Sequence, residues 1–125
     1  MKKTILALVF FLALAGQASA AGIYDGIWAM YYGGSFVLYE SIHQNGDQII
    51  AIALDPDLTW DAVSGILSGN TVSFSTLVGG VQSNGNVVFT SPSTMTVTQT
   101  SCYPVWQGYH CLLPNGAVVT GQKIF

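Results

Sequence analysis

Residues 64–99 read SGILSGNTVSFSTLVGGVQSNGNVVFTSPSTMTVTQ. Apolar residues alternate with Ser and Thr, and the alternation is interrupted at Gly69-Asn70, Gly79-Gly80 and Asn84-Gly85-Asn86. Period-two patterning bounded by Gly/Asn pairs is the local signature of antiparallel strands joined by tight turns. In Thr71-Val72-Ser73-Phe74-Ser75 the large apolar side chains sit at 72 and 74, and Met95 and Val97 alternate with Thr94, Thr96 and Thr98 in the same way. One apolar face and one hydroxyl face is what a sheet needs when it covers a core on one side.

The same grammar extends outward in both directions. Residues 23–32 place Tyr24, Gly26, Trp28, Met30 and Tyr32 on one face of a strand, and Gly33-Gly34 turns the chain. Residues 35–43 alternate Phe36, Leu38, Glu40 and Ile42 against Val37, Tyr39, Ser41 and His43. Asn45-Gly46 is a hairpin turn of the primed type, and 48–54 sets Ile50, Ile52 and Leu54 against the smaller Ala51 and Ala53. Asp55-Pro56-Asp57 breaks the pattern, because proline cannot donate to a ladder. Strand-like patterning resumes over 58–67 with Trp60, Ala62 and Ile66 in phase, and 117–125 closes the chain after a Pro114-Asn115-Gly116 turn. No helix-period segment longer than two turns is present beyond residue 20. The pattern predicts an all-β domain, a small antiparallel up-and-down meander of seven or eight strands. Closure into a barrel is favoured over a β-sandwich, because every connection is hairpin-like and none is long enough for a crossover.

Residues 1–20 have the anatomy of a secretory signal peptide: Lys2 and Lys3, an apolar run from Ile5 to Ala15, then Ala18-Ser19-Ala20 as a cleavage site. The apolar run is too short for a comfortable membrane span, and Gln17 stands where a lipoprotein would carry its acylated Cys. Residues 21–125 then form a single domain, expected in the periplasm or secreted. Phe125 matches the ending of many outer-membrane barrels, but Lys123 and Gly121 interrupt the apolar alternation that such a strand requires. The expectation is a domain not inserted in a membrane.

Charge excludes several functions. Lys123 is the lone basic side chain of 21–125, and the chain has no Arg, against six acids. Nucleic-acid binding relies on Lys and Arg displacing counterions, so it is excluded, as is attraction to anionic membranes.

Cys102 and Cys111 make an even count in a chain read as exported, which predicts a disulfide. Closing so short a loop is worth roughly 2.5–3 kcal/mol in the chain-entropy model. A thiolate metal site with His110 would lack a fourth ligand. Asp55, Asp57 and Asp61 form an acidic cluster without EF-hand spacing; Asp flanking Pro is ordinary turn chemistry. No metal and no cofactor are expected. Glu40 and His43, three apart, point to opposite faces of a strand and cannot act as a pair. No G-x-S-x-G nucleophile pattern occurs. An enzyme is therefore not expected.

Gly26-Ile27-Trp28 resembles the G-x-W opening strand shared by lipocalins and avidins, the calycin-type β-barrels, and Gly34-Ser35-Phe36-Val37 resembles the turn and second strand of avidin-type proteins. About a dozen residues carry the likeness. The lipocalin Arg that packs over the Trp has no counterpart, and Met30 lies where avidin-type proteins place a ligand-contacting Asn. The resemblance implies a barrel in which Trp28 plugs one end.

Aromatic side chains supply the remaining candidates. Trp28, Tyr39 and Trp60 are the expected ligand-binding residues of a barrel interior, suited to one small apolar or aromatic ligand. Tyr103, Trp106 and Tyr109 lie in the Cys102–Cys111 region and form the alternative, an aromatic loop that contacts a protein partner.

Overall fold

The computed structural model describes residues 21–125; the expected leader, 1–20, lies outside the described residues. Eight antiparallel strands follow one another in space in the order of the chain: β1 (Gly26–Tyr32), β2 (Ser35–Asn45), β3 (Gln48–Leu54), β4 (Trp60–Ser68), β5 (Thr71–Val78), β6 (Val81–Ser91), β7 (Thr94–Pro104) and β8 (Val118–Lys123). The last strand returns to the first, pairing Trp28 with Lys123 and Tyr31 with Thr120, and so closes the barrel. The fold is an all-β up-and-down barrel and not a sandwich, and closure leaves no edge strand unpaired. Among the described residues no helix is long and apolar enough to cross a membrane.

Turn chemistry explains the hairpins. Gly33, Gly34, Gly46 and Gly69 all take positive φ at the expected reversals. One expected turn is different: Asn84-Gly85 lies inside β6, where the register with β7 shifts by a bulge. Gly85 faces inward beneath Phe74 of β5, its cross-strand partner, and a Cβ there would stand 2.6 Å from the ring. Gly-Asn runs therefore mark a bend in a barrel wall here instead of a reversal.

The two ends of the barrel differ. At one end, the floor, residues 22–25 tuck under the strands. Tyr24 stacks on Phe89 with ring centroids 3.7 Å apart, and Trp28 meets Phe89 edge-on at 5.8 Å. Trp28 is fully buried and donates its Nε1–H to the Tyr24 carbonyl at 3.1 Å. Asp25 holds the tuck in place, accepting from the Gly22 and Gln44 backbone N–H groups. Met30, Ile42, Val72, Met95, Val97 and Val119 continue the core above this floor, each contributing roughly 1.5–3 kcal/mol by burial.

At the other end, the mouth, three of the four connections meet: the Asp55–Thr59 turn, the Gly79-Gly80 turn, and the long loop 105–117 between β7 and β8. The loop folds back across the opening. Backbone N–H groups of Val105 and Trp106 both donate to the Gly80 carbonyl, at 2.8 and 3.1 Å, and Gly116 donates to the Gln99 carbonyl at 2.7 Å. The Cys102–Cys111 disulfide ties the loop to the end of β7. Such a bond belongs to an oxidising, non-cytoplasmic environment.

Candidate functional site

Between the floor and the loop lies a cavity of about 130 Å³. Its origin is the choice of face in β2 to β4. Leu38, Glu40 and Ile42 point in from β2, Ala51 and Ala53 from β3, and Asp61, Val63 and Gly65 from β4. Side chains alternate along a strand, so Ile50, Ile52 and Leu54 go outward, and the small Ala phase leaves space inside. Phe74, Val87, Val97 and Gln99 form the facing wall, and the disulfide, His110, Leu112 and Leu113 form the roof.

Most of that lining is apolar. Gln99 is already committed: its side-chain amide donates to the Leu113 carbonyl at 2.9 Å, anchoring the roof, and its oxygen accepts from Ser83 Oγ at 3.4 Å. Asp61 accepts from the Val81 backbone N–H at 3.5 Å. Asp55 accepts from Thr59 Oγ1 at 3.1 Å, and Asp57 accepts from the same hydroxyl at 2.6 Å and from the Thr59 N–H at 3.0 Å. Glu40 is the exception. Its side chain is half-buried, lines the cavity, and makes no side-chain hydrogen bond to any described residue.

The electrostatics follow from this placement. Burial, with the Asp55 charge adding to it, pushes the Glu40 carboxyl up from the ordinary range to about 7. Asp55 is also raised, chiefly by burial, against the opposing Thr59 hydrogen bond. Asp57 is lowered because Thr59 donates twice to its carboxylate. Among the described residues no three His, Cys, Asp or Glu side chains converge to hold a metal ion.

The aromatic residues singled out in the sequence are dispersed. Trp28 is inside, but it belongs to the floor and does not line the cavity. Tyr39 and Trp60 are on the outer face, 45% and 51% exposed, each opposite Leu54 in the ladder. The expectation that they face the interior is corrected by phase: with Leu38 and Glu40 pointing in, Tyr39 must point out, and with Asp61 pointing in, so must Trp60. Tyr39 instead packs on Phe36 at a centroid distance of 4.7 Å. Trp106 and Tyr109 do meet in the loop, ring edge to ring face at 5.5 Å, with Trp106 52% exposed. Tyr103 projects separately from the end of β7.

Glu40, Asp55 and His110 were not drawn together by sequence reasoning. A signal existed for Glu40, a lone acid in phase with Leu38 and Ile42 on an otherwise apolar strand face. No family model matches the chain, and neither any curated protein nor any solved structure does.

Proposed function

We propose that this protein is an exported, non-catalytic binding module whose barrel holds one small apolar or aromatic ligand beneath the disulfide-tied loop. The observation that carries the reading is the cavity itself, apolar over most of its wall and about 130 Å³ in volume. Cavities of roughly 150 Å³ lined by Leu, Ile and Phe stay dry and take up benzene. The non-catalytic part of the reading is supported by Glu40 having no side-chain partner at hydrogen-bond distance among the described residues. The closed eight-strand meander with Trp28 buried at its floor fits the lipocalin-type resemblance of Gly26-Ile27-Trp28.

Export to the periplasm or the medium rests on the signal-peptide pattern of residues 1–20 and on the disulfide. An aqueous setting for the barrel rests on which face is apolar. Membrane barrels turn an apolar band outward and a polar interior inward. Here the interior holds apolar Met30, Val72 and Phe89, the reverse of a polar membrane-barrel lumen. The outer face is mixed, with Ser73, Ser75, Asn86, Thr96 and Thr98 on β5 to β7 and Ile52, Leu54, Trp60 and Ile66 on β3 and β4.

The test is a thermal-shift and calorimetric titration with benzene, indole, benzyl alcohol and benzylamine. Wild-type protein is expected to bind at least one of them, and Ala53→Leu, which fills the cavity, is expected to lose it. Absence of binding by every one of them overturns the reading. A second reading has its own observation, the exposed Trp106 against Tyr109 in the loop. Under it the protein docks a partner through Tyr103, Trp106 and Tyr109, and Trp106→Ala abolishes that contact while leaving the fold intact.

A further inference from the structure

We propose that the ligand is a small amine, its protonated nitrogen paired with the Glu40 carboxylate and its apolar body against Leu38, Ile42, Val63 and Phe74. The inference rests on the binding-module reading and specifies the ligand for it.

The Glu40 carboxyl borders the cavity, where a donor on a bound ligand can reach it. Within the barrel no side chain supplies one. The Gln99 amide is spent on Leu113. The basic side chain among the described residues, Lys123, is at the floor, donating to the Ile23 carbonyl at 3.3 Å, and the sequence contains no Arg. A donor on a ligand that enters the cavity therefore meets no protein competitor for the Glu40 carboxyl.

The sign of its charge is set by the neighbours. Asp55 and Asp61 line the same cavity as Glu40, so three carboxyl groups face it and the His110 imidazole at the roof is the single basic group near them. Clefts lined by one sign of charge with low-dielectric walls focus that potential inward. An anionic ligand would meet like charge, and a neutral one can at most donate a hydrogen bond without offsetting the carboxylate charge. An ammonium supplies both charge and donors.

Size narrows the class further. About 130 Å³ admits a single six-membered ring or a short branched chain, which makes benzylamine a fitting probe. Glu40 titrates near neutrality, so an arriving ammonium displaces the carboxyl proton to solvent and binding strengthens as pH rises.

Calorimetric titrations of the disulfide-intact protein with benzylamine, benzyl alcohol and benzoate at pH 5.5 and pH 8 test the inference. Benzylamine is expected to bind at least tenfold tighter than benzyl alcohol at pH 8, with a smaller ratio at pH 5.5 and with benzoate weakest. Glu40→Gln should bring the pH 8 ratio near one. Equal or tighter binding of benzyl alcohol by wild-type protein at pH 8 overturns the amine inference and leaves the binding module standing. So does an amine preference that survives Glu40→Gln. Should that variant fail to fold, the wild-type ratio decides alone: one that does not rise with pH overturns the inference. No binding of any of the probes overturns the module reading as well.

Discussion

Tyr109 of the mouth loop lies directly on Gly80 of the β5–β6 turn, so closely that a Cβ built at 80 would stand 1.9 Å from ring atom Cδ1. Gly80 also accepts two backbone hydrogen bonds from the loop, so contact and pairing act at one point. Gly80→Ala forces the ring and its loop to move. The expected cost is about 1–3 kcal/mol in urea unfolding, the range for overpacking. Adding Tyr109→Ala to Gly80→Ala should recover part of it, a non-additivity that a double-mutant cycle reads directly.

Glu40 makes stability depend on pH. Its carboxyl titrates at about 7 in the folded protein against 4.5 ordinarily, so the folded state holds the proton more tightly than the unfolded state. Folding is therefore unpenalised below about pH 4.5, and stability is lost as pH rises toward 7 and stays lost above it. A shift of that size corresponds to roughly 3 kcal/mol at full ionisation. Asp55, raised as well, acts in the same direction at lower pH, while Asp57, lowered, acts in the opposite one. Glu40→Gln should match the wild type near pH 4 and exceed it in urea midpoint at pH 8.

Opening the disulfide should loosen the roof before the barrel. Cys102→Ser with Cys111→Ser is expected to lose roughly 3 kcal/mol. Hydrogen exchange should then accelerate in 105–113 and not at the floor.

A buried and an exposed tryptophan should respond differently. Trp28→Ala removes a fully buried ring that Phe89 and the Tyr24 carbonyl both contact, and about 3–5 kcal/mol should go with it. Trp60→Ala on the outer face should change stability by less than about 1 kcal/mol. Denaturant melts of the two variants compare them.

Leu58 has φ of 68° in the Asp55–Thr59 turn and is largely exposed. A left-handed conformation costs an L-residue roughly 1–2 kcal/mol, and glycine adopts it freely. Leu58→Gly should therefore raise the melting temperature slightly, and a drop would show that the Leu58 side chain makes a contact worth more than the strain.

The strands, nearly every reversal and the disulfide were legible in the sequence because each rests on local chemistry: alternation, Gly at positive φ, an even number of cysteines. The inner face was legible only in part. In β3 both phases are apolar, Ile50-Ile52-Leu54 and Ile49-Ala51-Ala53, and bulk points to the wrong one. A narrow barrel lumen accommodates the small phase, a constraint that appears only when eight strands close on one another. The cavity was hidden for the same reason. Its carboxylates come from β2, the β3–β4 turn and β4, and its roof from a loop about 70 residues downstream of Glu40.

The pairing of β1 with β8 has a mechanical consequence. Residues 22–27 and 123–125 meet at the floor, where the Ile27 N–H donates to the Phe125 carbonyl at 3.1 Å and the Ile124 N–H to the Ile27 carbonyl at 2.8 Å. A force that pulls these two segments apart loads the seam one rung at a time, Trp28–Lys123 first and Tyr31–Thr120 last. The barrel should thus unzip at low tension from the end opposite its mouth, whatever its stability toward heat or urea, and a tether attached at either segment would leave the mouth facing away from its anchor.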